Sequence, residues 1–241
     1  MLSELQGQTV VVIGGSAGIG LETGRRARAE GASVILSARK PEPLAQAARE
    51  IEASRSAAFD ANDAAALKAF FRALPNDIDH VMVTAGEPHY GPPLEMPADE
   101  ARYGLSAHLM LALEVARCAA PRMQPNGSLI FMSGTGARRP RLGLGIASAG
   151  TAAFPTLIAN LALELAPIRV NLIAAGFVDT RLSASILGNA LDERRAELRA
   201  TLPIRRVVEP ADVAALAVHL MSNTALTGGT YDIDGGQQYV S

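Results

Sequence analysis

A short glycine-rich run between a predicted strand and a predicted helix is the strongest chemical signal in this chain. The apolar segment Thr9–Ile13 is followed by glycines at positions 14, 15, 18 and 20, and then by a helical pattern over residues 21–30. A strand, a glycine turn and a helix N-terminus together direct backbone N–H groups at one point, which suits a phosphate. A Cβ atom in the turn would keep the phosphate away from the backbone. The segment therefore predicts a nucleotide site, the alternative being an ordinary tight turn.

The end of the next predicted strand bears on which nucleotide is bound. This strand covers residues 33–37 and ends at Ser37, and Arg39 and Lys40 follow it. In dinucleotide sites an Asp or Glu at this strand end accepts a hydrogen bond from the ribose 2′-hydroxyl of NAD, whereas an Arg accommodates the 2′-phosphate of NADP. Two cations and no carboxylate stand here, so we predict NADP(H) as the cofactor. A solvated basic turn is the alternative.

The elements that must position these residues alternate along the chain. We predict strands at residues 9–13, 33–37, 57–60, 80–84, 128–133, 169–174 and 230–233, and helices at 21–30, 67–74, 99–119, 142–163 and 210–221. Repeated β–α units predict an α/β fold, a doubly wound parallel sheet with helices on both faces. The length of 241 residues fits a single domain over residues 1–241.

Two further segments are predicted to border the ligand crevice. The Pro-rich stretch 87–97 follows the fourth strand, and such loops rim the crevice at the carboxyl ends of the strands. Residues 181–203 contain apolar side chains at Leu182, Ile186, Leu187 and Leu191. This segment fits either a substrate lid or a surface helix that packs one face.

Composition excludes several classes of function. A net charge of −2 and a pI near 6.1 argue against a nucleic-acid partner or an anionic membrane surface. The single cysteine, Cys118, rules out a disulfide framework and is predicted to be a buried apolar residue on a helix. We find no metal-ligating pattern. The first residues, MLSELQGQT, lack a basic and an apolar region, so nothing targets the chain for secretion and a cytoplasmic location is expected.

Residues 142–163 carry no charge and reach the length of a membrane span. They also contain Pro155, Asn160 and several Gly, Ser and Thr residues, and they lie between predicted strands. An all-apolar helix in this position is typical of a core or subunit interface. We therefore predict no membrane span, and a homo-oligomer that buries this helix.

Several strings together resemble the short-chain dehydrogenase/reductase family. They run in order along the chain: GxxxGIG at residues 14–20, Asp60 in FDAND, Thr84-Ala85-Gly86, LAPIRVN at 165–171, GFVDT at 176–180, EPADV at 209–213 and TGGTYDIDGG at 227–236. The resemblance implies a Rossmann-type fold, a nicotinamide dinucleotide, and a dimer or tetramer built on two long helices.

The resemblance also assigns cofactor contacts, residue by residue. The phosphates would meet Gly14, Ser16, Gly18 and Ile19, and the 2′-phosphate end would meet Ser37, Arg39 and Lys40. The adenine and its ribose would meet Asp60, Ala85 and Gly86, and the nicotinamide side would meet Gly176, Val178 and Thr180. Two positions differ from the family pattern: its Thr before the first glycine is Ile13, and its Asn-Asn is Val83-Thr84.

The catalytic positions differ more. The family uses a Tyr as acid or base, a Lys four residues later, a Ser and an Asn. The lysine charge lowers the tyrosine pKa while the Ser polarises the carbonyl. Alignment places Ile146 at the Tyr position and Gly150 at the Lys position. No tyrosine lies between Tyr103 and Tyr231, and no lysine follows Lys68, so the pair is absent in any register.

Other polar residues occupy the remaining positions. His108 falls at the Asn position when counted back from Pro121. The Ser position falls on Ser133 or Gly134, and we favour Ser133 because it lies thirteen residues before Ile146. No metal is expected at this site.

Three functions are compatible with this pattern. The first is an NADP(H)-dependent oxidoreductase for a small carbonyl or alcohol substrate. In it, His108 would supply the proton, Ser133 would bind the substrate oxygen, and Arg138 or Arg139 would hold an anionic group. Tyr90 and Tyr103 are further candidate proton donors. Packing, strand capping and a solvated loop are the structural alternatives for these residues.

The second function is a catalytically inactive NADP(H)-binding sensor or partner subunit, because the cofactor half is intact while the acid–base pair is missing. The third is a C=C (enoyl) reductase, which depends less on that pair. Ketones, activated alkenes and NADPH binding without turnover would distinguish the three.

Overall fold

The fold is a single parallel sheet of seven strands. In the computed structural model, which describes residues 4–139 and 141–240, the strand order is β3-β2-β1-β4-β5-β6-β7. The strands are β1 Thr9–Ile13, β2 Ser33–Ala38, β3 Arg55–Ala58, β4 Ile78–Val83, β5 Met123–Gly134, β6 Arg169–Ala175 and β7 Thr230–Ile233. The order reverses between β1 and β4, and in such sheets the ligand crevice opens at that point.

Helices cover both faces of the sheet. They are α1 Gly18–Ala29, α2 Pro41–Glu50, α3 Ala64–Arg72, α4 Ala98–Ala119, α5 Gly145–Glu164, α6 Arg181–Leu187, α7 Leu191–Thr201 and α8 Pro210–Ser222. Alternate strand residues face opposite sides. Val11 and Ile13 pack with α3, α4 and α5, whereas Val10 and Val12 pack with α1, α2 and α8. The predicted doubly wound α/β fold is thus confirmed.

Most predicted elements lie within two or three residues of their positions in the structure, and three features differ. Helix α2 is absent from the sequence prediction because Pro41 and Pro43 obscure it, although Pro at the start of a helix loses no hydrogen bond. The 182–202 stretch forms two helices, since Gly188 has φ +51° and ends α6. Cys118 is half-buried at the edge of the core, not buried as predicted.

Helix α5 has the length and apolar composition of a membrane span. It is also the crossover between β5 and β6, and Phe154, Ile158 and Leu161 pack it onto the sheet. Most residues of this apolar stretch are nonetheless not buried within this chain. The helix is therefore fixed in the fold on one side and lacks cover on the other.

Candidate active site

A cleft of about 790 Å³ opens at the carboxyl ends of the strands. Its lining comes from the loops after β1, β4, β5 and β6, from α1, α4, α5, α6 and α7, and from the segment after β7. Parallel strands direct all their carboxyl ends to one edge, so residues far apart in the chain meet there. The cleft thus joins the glycine loop to the polar residues that follow β5.

The glycine loop is held tightly against β2. The N–H groups of Gly14 and Gly15 donate to the Ser37 carbonyl at 2.9 and 2.8 Å. Gly14 has φ +99°, a conformation that L side chains rarely adopt. A Cβ on Gly20 would lie 2.3 Å from the Gly14 carbonyl oxygen. The loop therefore needs glycine at both positions, as the sequence suggested.

The start of α1 leaves backbone donors free for an anion. Its N-cap residue, Ala17, has no side-chain hydrogen bond, and its first turn contains no acidic residue. The positive end of the helix dipole and the first N–H groups therefore face the cleft without a protein counter-charge. Thr180 closes the other side, its Cγ2 lying 3.4 Å from where a Cβ on Gly18 would stand. This cradle fits a dinucleotide pyrophosphate.

The predicted cofactor residues fall into two groups. Eight of them line the cleft: Gly14, Gly18, Ile19, Ala85, Gly86, Gly176, Val178 and Thr180. The other five lie outside its lining: Ser16, Ser37, Arg39, Lys40 and Asp60. Of these, Ser37 is buried and acts through its carbonyl, and the Asp60 carboxylate accepts from the Asn62 N–H at 2.9 Å.

Arg39 already has an acidic partner. Its guanidinium pairs with the carboxylate of Glu87, in the loop after β4, and both side chains are more than half exposed. Lys40 is exposed at the start of α2. A ligand phosphate that reached Arg39 would therefore compete with the Glu87 carboxylate for its guanidinium group.

His108 lies in the cleft against Gly86. A Cβ on Gly86 would stand 2.2 Å from His108 Nε2, so glycine at this position makes room for the ring. The ring also meets Phe154 edge-on at 6.5 Å. Burial, and to a smaller extent the neighbouring His89, lower the pKa of His108 below its ordinary value. The imidazole is therefore neutral at neutral pH.

The face that α5 presents to the cleft bears on the predicted register. Ala147, Gly150 and Thr151 line the cleft, whereas Ile146 does not. Ile146 is buried against α4, where a Cβ on Gly104 would stand 2.7 Å from its Cγ2. Successive helical residues point about 100° apart, so a shift of one position changes the face. The cleft-facing positions therefore favour Ala147 over Ile146 at the Tyr position and allow either Gly150 or Thr151 at the Lys position, and the assignment itself stays a prediction.

Placing Ala147 at the Tyr position would also change the serine position. Gly134 lies thirteen residues before Ala147, and a Cβ on Gly134 would stand 3.7 Å from Thr151 Cγ2. Ser133, which we predicted, still lines the cleft beside it. Neither alanine nor threonine supplies a phenol or an ammonium group, so the tyrosine–lysine pair remains absent.

The structure places only one of the two predicted arginines in the cleft. Arg139 lines the cleft, and its Nη1 donates to the Gln237 carbonyl at 2.7 Å. Arg138, on a short 3₁₀ turn, is exposed, pairs with Asp232 and lies outside the cleft lining. We therefore drop Arg138 from the candidate site, because its guanidinium is engaged elsewhere.

Of the two candidate tyrosines, too, only one lines the cleft. Tyr90 lines the cleft, and burial raises the pKa of its phenol. Tyr103 instead packs edge-on against His89, with ring centroids 5.1 Å apart, outside the cleft lining. Within residues 4–139 and 141–240, no group of three His, Cys, Asp or Glu side chains could hold a metal ion.

Several lining residues were missed by sequence reasoning. They are Ser148, Thr151, Phe154, Arg141, Arg194 and Gln237. Gln237 comes from beyond β7, and its Oε1 accepts from the Phe177 N–H at 2.7 Å. Nothing in the local sequence signals this contact, because it depends on how the last strand places the chain end.

Comparisons with known proteins agree with this architecture. Residues 14–238 match the protein-family model described as enoyl-(acyl carrier protein) reductase. The short-chain dehydrogenase/reductase ATR9 of Stachybotrys chlorohalonatus is 27% identical over 247 residues, covering 96% of this chain and 97% of that protein.

Two solved structures extend the likeness to three dimensions. The MalC reductase/Diels-Alderase from Malbranchea aurantiaca superposes with a TM-score of 0.90 at 24% identity, covering 98% of each chain. A small-chain dehydrogenase in complex with NADPH superposes with a TM-score of 0.82 at 26% identity, covering 97% of this chain and 100% of that one.

Proposed function

Because this chain belongs to the short-chain dehydrogenase/reductase family, we propose that it is an NADP(H)-dependent oxidoreductase. It interconverts a small carbonyl compound and its alcohol without the family's usual tyrosine–lysine pair. The observation that carries the proposal is one continuous cleft, which joins an intact pyrophosphate cradle to Ser133 and His108.

The choice of NADP(H) has two supports. The family binds nicotinamide cofactors, and Arg39 and Lys40 stand at the strand end where Arg accommodates a 2′-phosphate. One structural relative was solved with NADPH. When bound, NADP(H) would supply or accept the hydride.

The residues of this chain would then handle the substrate oxygen and the proton. The Ser133 hydroxyl, at the end of β5, would donate a hydrogen bond to the substrate oxygen. His108 is neutral at neutral pH, since its pKa is lowered, so it would accept the proton when an alcohol is oxidised. Carbonyl reduction requires the imidazolium form, which increases as the pH falls.

A C=C reductase is the second candidate, favoured by the description of the matching family model. In that reaction the hydride adds to one carbon of an activated C=C bond and a proton adds to the other, so no proton has to be delivered to a carbonyl oxygen by a phenol. Ala147 and Thr151 in the cleft are compatible with this chemistry. Tyr90 and His108 would be its candidate proton donors.

The test combines cofactor titration with a substrate panel. We would titrate the purified protein with NADPH and NADH and measure binding by the fluorescence of the cofactor and by the change in melting temperature. We would then follow the oxidation of NADPH in the presence of ketones and of activated alkenes. Ketone turnover supports the proposal, and turnover restricted to alkenes supports the second candidate. Tight NADPH binding with no turnover on either panel would identify a sensor or partner subunit, and lack of binding would remove all three.

A further inference from the structure

We propose that the substrate carries an anionic group, a carboxylate or a phosphate, bound by an arginine cluster that consists of Arg139, Arg141 and Arg194. This inference rests on the proposed function, since it names the substrate class of the same cleft. All three side chains line the cleft. They come from the loop after β5 and from α7, so no local sequence pattern links them.

The cluster lies at the far end of the cleft from the phosphate cradle. Arg139 is tied to the segment after β7 through the Gln237 carbonyl. In the order β1-β4-β5-β6-β7, neighbouring strands are about 4.8 Å apart, so the end of β1 lies about 10 Å from that of β5 and about 19 Å from that of β7. The cluster is therefore separate from the α1 N-terminus that suits the dinucleotide.

Arg181, a fourth arginine of the lining, belongs to the cradle end. It follows Thr180, whose methyl group stands over Gly18. This position suits a contact with the pyrophosphate, so we leave Arg181 out of the cluster.

The cluster has little compensating negative charge. The described lining of the cleft includes no Asp or Glu. Arg194 pairs with Glu197, one turn further along α7, whereas among the described residues no salt bridge involves Arg139 or Arg141. The buried Asp234 is nearby, but its carboxylate accepts from the N–H groups of Gly236 and Gln238.

The three guanidinium groups also repel one another. Burial, followed by the charges of Arg141 and Arg194, lowers the pKa of Arg139. Arginine remains protonated at neutral pH, so the repulsion persists in the folded protein. An oxyanion between them would relieve it and would accept the forked hydrogen bonds that guanidinium groups provide.

Apolar residues of the same cleft indicate the rest of the ligand. Leu182 and Ile186 of α6 line the cleft and are 44% and 48% exposed, and Leu144 and Leu187 line it as well. A ligand with an apolar body would cover these side chains while its charged end reached the arginines. The substrate class is therefore an acidic molecule with an apolar portion.

Binding of simple probes tests this without turnover. We would titrate octanoate, octyl phosphate and the neutral octanamide into the protein, with and without saturating NADP⁺, by calorimetry. Both anions, or one of them, should bind at least tenfold more tightly than octanamide, and their ranking distinguishes carboxylate from phosphate. Arg139→Gln, Arg141→Gln and Arg194→Gln should each weaken anion binding about 10- to 100-fold, the effect of a lost charged hydrogen bond.

Arg199→Gln is the matched control, because Arg199 is exposed on the same helix and outside the cleft lining. It should bind the anions like the unmodified protein. If octanamide bound as tightly as both anions, or if no probe bound at millimolar concentration, the proposal would be overturned. The proposal would also be overturned if the three cluster variants weakened the binding of NADPH and left the binding of the probes unchanged. If NADPH itself fails to bind, the proposed function fails, whereas anion binding to the cofactor-free protein still decides this inference.

Discussion

At the scale of single residues, the Arg39–Glu87 pair is the feature that bears most directly on cofactor choice. The 2′-phosphate of NADP would have to displace the Glu87 carboxylate from Arg39, whereas NAD would leave the pair intact. Both side chains are exposed, so the pair itself contributes little to stability. Its effect is therefore expected on selectivity.

Arg39→Gln should weaken NADPH binding about 10- to 100-fold, the effect of a lost charged hydrogen bond, and should change NADH binding less than about twofold. Glu87→Gln should strengthen NADPH binding several-fold because the competing carboxylate is removed. Fluorescence titration of both cofactors measures this. Equal losses of NADPH and NADH in Arg39→Gln would contradict the 2′-phosphate assignment.

The lowered pKa of His108 predicts opposite pH profiles for the two reaction directions. Carbonyl reduction should accelerate as the pH falls below the ordinary histidine pKa of about 6.5 and approaches the lowered pKa of His108, because the imidazolium fraction rises there. Alcohol oxidation should reach its plateau at neutral pH. His108→Gln should reduce kcat about 10² to 10⁴-fold and flatten both profiles, with the exposed His219→Gln as control. A variant that keeps the rate and the profile would leave His108 as a packing residue.

At the scale of elements, a buried histidine joins two strands to the N-terminal segment. His80 of β4 is 3% exposed, and its ring nitrogens lie 2.9 Å from Ser128 Oγ of β5 and 2.7 Å from Gln8 Oε1. Burial, with a smaller contribution from the charge of Arg169, lowers its pKa to about 3. His80 is therefore structural, and its two partners satisfy it as a neutral ring.

This depressed pKa predicts acid sensitivity. Below pH 6.5 the unfolded chain binds a proton that folded His80 does not, so the free energy of unfolding should fall by about 1.4 kcal/mol per pH unit as the pH falls from 6.5 towards 3. Urea denaturation at several pH values between 5 and 7.5 measures this slope. His80→Gln should be less stable but should lose this part of the slope, whereas His219→Gln should keep it. An unchanged slope in His80→Gln would assign the acid sensitivity to other groups.

At the scale of the whole molecule, an uncovered apolar surface stands on α4 and α5. Leu105, Met110 and Leu163 are 40%, 47% and 79% exposed there, and most of α5 is unburied within one chain. Exposed apolar side chains on two helices that pack together are typical of an interface. We propose that a second copy of the chain covers it.

Light scattering should therefore give a mass that is a multiple of 25.1 kDa. Leu163→Glu should shift the protein towards the monomer because it places a charge in the apolar contact. Leu94→Glu, at a 99% exposed loop position, should leave the mass unchanged. A monomeric unmodified protein at micromolar concentration would contradict the proposed assembly.

The catalytic region shows where prediction from sequence stops. A one-residue shift moved the cleft-facing position from Ile146 to Ala147, and a 3₁₀ turn separated Arg138 from Arg139, which are adjacent in the chain. Both outcomes depend on which way a side chain points from its helix or turn. That direction is set by packing against Gly104 and Asp232, residues distant in sequence.

The sheet, the glycine cradle and the absence of the tyrosine–lysine pair can all be predicted from the sequence. These follow from local patterns, since apolar periodicity, a glycine turn and the inventory of residue types are all properties of neighbouring positions or of composition. Only the tertiary structure brought Glu87 to Arg39, His108 to Gly86, and Arg194 to Arg139. These neighbours lie on loops and helices that follow different strands at one edge of the sheet, so strand order and helix orientation decide them, and no local pattern encodes either.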